Sequence, residues 1–335
     1  GGFAVGGFNL AKADPEEYLR VTRDSTRIYV NDQPTKASKG GFAVGGFGLS
    51  KGTVTPFTVL TPDNYLIGHN SGIKITSGLH NSFLGFETGM STTTGGRNLF
   101  LGYQAGYSNI SGSYNTFLGY QAGYSNNASY NSFIGYRAGR NNTTGVYNTF
   151  LGYYSGYYNT TGTSNIFIGN YSGYRNTEGV NNVFFGIYSG YYNTTGTDNI
   201  FIGSRAGYST STGVNNVFIG TRSGYTNSTG INNIFLGDSS GYRNTSGREN
   251  LFMGTRAGYS NTIGLYNVFL GFEAGYSNIG STAYDGNFNS AVGYKAGYSN
   301  TTGQSNAFFG DRAGMDNSTG NYNTFIGKFA GIHHV

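Results

Sequence analysis

The sequence predicts an all-β protein, a parallel β-solenoid wound from short coils. Three observations predict it: a string that recurs in step fifteen times, glycine at two fixed places in every copy, and a composition unsuited to helix. The string Asn-x-Phe-[Leu/Ile]-Gly starts at Asn81 and returns at 98, 115, 131, 148, 165, 182, 199, 216, 233, 250, 267, 289, 306 and 323. The step is seventeen residues, except sixteen after Asn115 and twenty-two after Asn267. A repeat of this length is one supersecondary unit that cannot bury its apolar side alone, so successive units must stack.

Each position of the unit has a physical reading. The first residue, Asn, opens the motif. The third is Phe in fourteen units: Phe83, Phe100, Phe117, Phe133, Phe150, Phe167, Phe184, Phe201, Phe218, Phe235, Phe252, Phe269, Phe308 and Phe325, with Ala291 the exception. These are the predicted core ladder. The fifth and ninth are always Gly, which predicts corners with positive φ or close backbone approach. The eighth is always Ala, Ser or Thr, as a cramped interior site requires. The tenth is Tyr in eleven units, and the Asn-Thr-Thr-Gly stretch near the end, as in Asn159 to Gly162, is turn chemistry. Two obligatory Gly per unit, at about 1 kcal/mol each, argue against helix. Two or three strands of three to five residues per coil, bounded by Gly and Asn, fit instead. Coils stacked about 4.8 Å apart would make a rod about 70 Å long.

Alternation along a strand puts the third residue on one face and the second and fourth on the other. The second position runs Ile166, Val183, Ile200, Val217, Ile234, Leu251, Val268, and the fourth runs Ile168, Phe185, Ile202, Ile219, Leu236, Met253, Leu270. Two such apolar rows are not left in water by a monomer. A homo-oligomer is expected, a side-by-side or intertwined trimeric fibre, with these rows facing its axis.

Composition closes off other classes. Charged residues are 10% of the chain, far below an ordinary soluble domain. The 55 Tyr and Phe argue against disorder, and Gly does not fall on every third residue as collagen demands. Without Cys there are no disulfides or thiolate metal sites. From residue 81 onward 12 basic and 9 acidic residues are spread over 255 positions, too dilute for a nucleic-acid footprint. No apolar run reaches the length of a membrane span. The chain starts with Gly inside a motif and shows no signal peptide, so it reads as a mature or truncated piece of a longer protein.

Residues 1–80 form a separate region before the solenoid of 81–335. Gly1 to Phe8 matches Gly40 to Phe47, a repeat of about thirty-nine residues. Strand-turn-strand patterns follow each copy: Tyr18 to Thr22 with Thr26 to Val30, and Phe57 to Thr61 with Tyr65 to Ile67. These read as hairpins or a looser roll.

The unit Asn-x-Phe-[Leu/Ile]-Gly-x-x-[Ala/Ser]-Gly-Tyr resembles an elongated form of the head repeat of trimeric autotransporter adhesins. That resemblance implies a trimeric left-handed parallel β-roll that binds host surfaces. Together with the Gly-Gly-Phe-Ala-Val-Gly-Gly pattern and its Thr-Arg-Asp-Ser-Thr-Arg-Ile-Tyr-Val hairpin, the units also resemble long surface or tail-fibre-like proteins of Bacteroidetes-type bacteria. The resemblance covers nearly the whole chain. It departs in the longer period and in Phe where the adhesin heads carry smaller residues.

No catalytic, cofactor or metal site is expected. His69, His80, His333 and His334 have no metal-ligand spacing. No Ser is paired with a His and an acid in a compact pattern. The Gly-rich strings lack the Lys-Ser/Thr of a phosphate loop. Tyr107, Tyr157, Tyr208, Tyr276 and Tyr284 are the candidate surface contacts, toward glycans or neighbouring cells, weighed against a plain self-stacking ladder. Arg137, Arg205, Arg222, Arg256, Lys295 and Arg312 at the seventh position suggest a basic stripe, interrupted by Glu87, Tyr154, Tyr171, Ser239 and Glu273. The long unit, with its insertion at Ile279 to Phe288, precedes Ala291, and Phe288 or Tyr284 is expected to fold back into the space that Ala291 leaves. The functional expectation is an extracellular fibre or adhesin shaft at a cell surface. The alternatives are a receptor-binding tail fibre of a phage-like or contractile injection particle, and an ice- or glycan-binding solenoid.

Overall fold

The computed structural model describes residues 57–280 and 285–333, with the backbone of 19–21, 26–28, 42–45 and Pro56 before them. Tyr284 and the Gly1 to Phe8 motif lie outside the described residues. Two short strands, β1 (Leu19–Val21) and β2 (Thr26–Ile28), pair antiparallel as the expected hairpin. Strand β3 (Phe42–Gly45) pairs antiparallel with β4 (Pro56–Leu60), and β4 with β5 (Asn64–Ile67). Strand β5 then pairs parallel with β6 (Asn81–Leu84), residue for residue at a spacing of seventeen. From there every strand pairs parallel and in register with the next, to Thr324–Ile326. The chain is therefore a parallel β-solenoid, and its stack already includes Asn64–Ile67, where Leu66 stands in the Phe column opposite Phe83.

Each coil contains one strand, of four residues in the first two coils and three thereafter, such as Ile200–Ile202, and not the two or three strands expected. The rest is turn, because Gly at the fifth and ninth positions and Asn, Ser and Thr elsewhere bend the chain every few residues. These turns are still bonded coil to coil. Beside the strand bonds, Gly106 N donates to Ala122 O (2.9 Å), Ser108 N to Tyr124 O (2.9 Å) and Thr160 N to Thr177 O (3.0 Å). All sides of the coil thus carry ladder bonds, which satisfies backbone groups that turns would otherwise strand.

The interior is a column of phenyl rings. From Phe83 to Phe269 the rings are almost fully buried and stack nearly parallel, with successive centroids 4.7 Å apart at Phe83–Phe100 and 4.9 Å at Phe252–Phe269. The ninth-position Gly makes room for the ring. A Cβ on Gly190, where φ is 58°, would stand 2.4 Å from the Phe184 ring. The fifth-position Gly meets the neighbouring coil instead: a Cβ on Gly186 (φ 139°) would stand 2.5 Å from Gly203 O. Where the eighth residue is Ser, its hydroxyl donates to the next coil's Phe carbonyl, as Ser172 Oγ does to Phe184 O at 3.0 Å.

Beside the phenyl column run two buried asparagine ladders that the periodicity did not announce. The first-position Asn165 accepts the backbone N–H of Asn182 on its Oδ1 (3.0 Å) and donates from Nδ2 to Gly179 O (2.7 Å). The twelfth-position Asn176 donates from Nδ2 to Asn159 Oδ1 (2.6 Å) and to the same Gly179 O (3.2 Å). Where the twelfth residue is Asn, one carbonyl per coil so receives two amide donors, and the coil closes on it. Buried polar groups of this kind are stable only when fully partnered. At Thr210, which replaces the Asn, the second ladder breaks: Asn193 Oδ1 and Thr210 Oγ1 are buried with no partner among the protein atoms.

Both length changes fall between the twelfth and fifteenth positions. In the short coil Ala128 O receives Asn115 Nδ2 and Asn126 Nδ2, and in the long one Gly286 O receives Asn267 Nδ2 and Asn278 Nδ2. The expected role of Phe288 is not what the structure shows. Phe288 is 57% exposed and stacks on Tyr266 at 5.1 Å. Phe308, one coil on, takes up the room beside Ala291. Its Cδ2 lies 2.7 Å from where a Cβ on Gly297 would stand, and its ring is 5.6 Å from Phe325, wider than the usual step. A residue outside the core column cannot reach through the coil wall, whereas a neighbouring ring need only shift along the column.

Candidate functional site

With the third position inside, the second and fourth point outward, and the strands show the exposed–buried–exposed pattern that alternation requires. Ile166, Ile200 and Ile234 at the second position and Phe185, Ile202, Ile219 and Met253 at the fourth are each more than a third exposed. Val183, Val217, Leu251 and Val268, with Ile168, Leu236 and Leu270, are partly exposed beside them. Parallel pairing in register lays these residues in two straight columns from Ile166 to Leu270. On this face the second position nearer the start of the solenoid is Ser or Thr at Ser82, Thr116, Ser132 and Thr149, with Leu99 the one apolar residue among them. There the flanking sixth position carries rings instead, and Phe86, Tyr103, Tyr120, Tyr136 and Tyr153 stack in sequence at 5.0 to 5.4 Å.

The tenth-position tyrosines form a second ladder on another side of the coil. Tyr157, Tyr174, Tyr191 and Tyr208 stack at 5.1 to 5.5 Å, and the row continues through Tyr225, Tyr242, Tyr259 and Tyr276 to Tyr298 at about 5 Å. Tyr107 stacks on Tyr124 in the same way. Tyr107, Tyr157, Tyr208 and Tyr276 are half-buried, with their ring faces turned to one another along the rod. Burial raises the pKa of Tyr191, Tyr208 and Tyr276, with neighbouring phenols adding to it. Tyr174 is pushed furthest up, by burial first and then by its hydrogen bond to Tyr158.

The seventh-position row is not a uniform basic stripe. Gln104 donates to Glu87, Gln121 to Gln104, and Arg137 to Gln121 and to Tyr154 Oη (2.9 Å). Farther along, the nearly buried Glu273 sits between Arg256 (3.3 Å) and Lys295 (3.5 Å). These contacts run along the rod and consume much of the charge that a ligand would need. The threonines of the Asn-Thr-Thr-Gly turns are similarly engaged, since Thr160, Thr177 and Thr194 each donate to a carbonyl of the following coil.

Comparison with protein-family models, with curated proteins and with solved structures finds no match. The geometry alone therefore carries the functional reading. Among the described residues no group of His, Cys, Asp and Glu is placed to hold a metal ion, and no helix is long and apolar enough to cross a membrane.

One feature of the surface escaped the sequence reading. The eleventh position is Ser in seven of the fifteen coils, yet it is Tyr158, Arg175 and Tyr192 in three consecutive ones. The Tyr158 ring stands at 87° to Tyr157 and 81° to Tyr174, and the Tyr192 ring at 76° to Tyr191 and 84° to Tyr208. The signal was present as a departure from the repeat, but only the ring angles give it meaning.

Proposed function

We propose that the chain is the shaft of an extracellular fibre or surface adhesin, in which copies associate side by side, as a trimer, through the face formed by the second and fourth positions. The observation that carries the reading is the pair of straight apolar columns from Ile166 to Leu270, left in the open on a single chain. A patch of that length is expected to be covered. A rod of in-register coils supplies length and stiffness, and its contacts repeat with the coil, so copies can associate along the whole shaft. The chemistry of the interior supports a structural part: the described residues there are stacked rings, paired amides and Ser hydroxyls engaged by carbonyls of the next coil. Engagement of the threonine hydroxyls in coil-to-coil bonds argues against an ice-binding face.

The test is hydrodynamic. Sedimentation of the intact chain should give a trimer at micromolar concentration. Replacing Ile200, Val217 and Ile234 by Thr should give monomer with an unchanged circular dichroism spectrum, because coils with Thr at that position exist in this same chain (Thr116, Thr149). A folded wild-type monomer would end this reading.

A further inference from the structure

We propose that Tyr158, Arg175 and Tyr192 form a binding site for an extended acidic polysaccharide, lying along the rod on the side that carries the tyrosine ladder. This rests on the fibre reading only in assuming an outward-facing shaft surface, and it specifies what that surface contacts.

The repeat acts as its own control. Ser91, Ser108, Ser125, Ser209, Ser260, Ser277 and Ser299 show that the eleventh position needs nothing larger than Ser for the coil to close. Two tyrosines flanking an arginine are therefore an addition to the scaffold. Their orientation is also unlike that of the ladder. Rings of the tenth-position row stack on one another, so their faces are covered and only edges look outward. Tyr158 and Tyr192 are turned nearly perpendicular to that row, each laid across the edges of two ladder rings. They are 43% and 37% exposed. A flat ring turned sideways offers a face, open at Tyr158 and shared with the Arg175 guanidinium at Tyr192, which is what the apolar C–H side of a pyranose packs against. The Tyr158 hydroxyl is hydrogen-bonded to Tyr174, which fixes the ring.

Spacing and charge narrow the ligand. Tyr158 and Tyr192 are two coils apart, about 10 Å at the spacing of paired strands, roughly the length of a disaccharide in an extended chain. Between them lies the exposed guanidinium of Arg175, 5.0 Å from the Tyr192 ring centroid, which holds it in place without neutralising it. A recess of about 250 Å³ opens beside these residues, lined by Tyr158, Arg175, Thr177 and Thr194. Two ring platforms with a planar cation at the midpoint suit sugars in register with the coils, one of which carries a carboxylate that Arg can engage in a bidentate pair.

Affinity electrophoresis of the intact chain in gels containing polygalacturonate, or a neutral soluble β-glucan, tests this. Wild type should be retarded by polygalacturonate more strongly than by the glucan. Tyr158→Ser and Tyr192→Ser should each weaken retardation about tenfold, close to one decade in affinity. Arg175→Ser should lose the preference for the acidic polymer. Arg243→Ser removes the same charge from the same repeat position in a coil without flanking tyrosines, and should change nothing. Serine at this position elsewhere makes loss of the fold unexpected, and a melting temperature for each variant checks it. Equal loss in Arg175→Ser and Arg243→Ser would reduce the effect to net charge and overturn the site. So would wild type and the Tyr158→Ser/Arg175→Ser/Tyr192→Ser triple variant migrating alike. Sedimentation of the same variants keeps this result separate from the fibre reading, since none of the three residues lies on the apolar columns.

Discussion

At the scale of single residues, the solenoid depends on conformations and amides that its sequence barely signals. In coil after coil the residues before the first Asn and at the seventh position are left-handed without being glycine, as at Tyr147 (φ 60°) and Arg205 (φ 57°). Such residues cost on the order of 1 kcal/mol each and persist because the ladder bonds around them over-determine the backbone. Asn181, Asn215 and Asn232 hint at this requirement, since Asn tolerates the region, but Tyr and Arg elsewhere conceal it. The asparagine ladders are clearer in energetic terms. Thr210→Asn should restore the broken row by donating to Asn193 Oδ1 and to Gly213 O. We expect a gain of about 1–2 kcal/mol, the cost of leaving a buried acceptor unmade, read as a higher midpoint in denaturant. Asn159→Ala should do the reverse, losing about 2–3 kcal/mol by stranding its partners. An unchanged midpoint for both variants would mean that the amide rows are passengers.

At the scale of the coil, the glycines and the phenyl column were legible in the sequence, and the strand content was not. Fixed Gly at the fifth and ninth positions predicted corners, and both have positive φ in every described repeat. That each coil holds only one short strand follows from bonds between turns, which no periodicity of apolar residues reports. Gly190→Ala should be severely destabilising, by about 3 kcal/mol or more, because strained φ and a collision with the Phe184 ring act together. The gap at Ala291 gives the opposite case. Ala291→Phe should stabilise by about 1–2 kcal/mol, adding buried ring area and stacking on both neighbours once Phe308 returns to its ordinary place. A loss of stability there would show that the surrounding coils have closed around Ala291. Length changes are absorbed at the corner between the twelfth position and the carbonyl acceptor because that segment lies outside both amide rows. The assignment of Phe288 to the core failed for the related reason that it precedes the first Asn and belongs to the outer surface.

At the scale of the whole molecule, stability rests on rows that run the length of the rod, and one of them titrates. The pKa of Tyr124, Tyr174, Tyr191, Tyr208 and Tyr276 is raised in the fold, chiefly by burial. For a phenol whose folded pKa is raised, the stabilisation is fully present below the unfolded value of about 10 and is lost as pH rises through the folded value. The melting temperature should therefore vary little on account of these groups up to about pH 9, then fall above about pH 10. Phenolate absorbance in the folded protein should show a fraction of tyrosines ionising later than the rest. A single midpoint near 10 for all tyrosines, with the fold intact, would contradict the buried ladder. Ordinary salt should have little effect on the shaft itself, as the Phe column and the asparagine rows carry no charge and the ion pairs of Glu273 and Asp311 lie outside them.

The sequence by itself determined the period, the buried Phe, the glycine corners and the outward turn of Ile166 to Leu270, because those depend on steric rules that act within one strand or one turn. The tertiary structure decided everything that depends on what lies one coil away. Only stacked coils show that turns bond as strands do, that two asparagine rows converge on one carbonyl, and that Phe308 relaxes toward Ala291. The angle at which Tyr158 and Tyr192 leave the ladder belongs to the same class. It is set by contact with rings in two different coils, and a residue's neighbours across a coil are not written next to it in the chain.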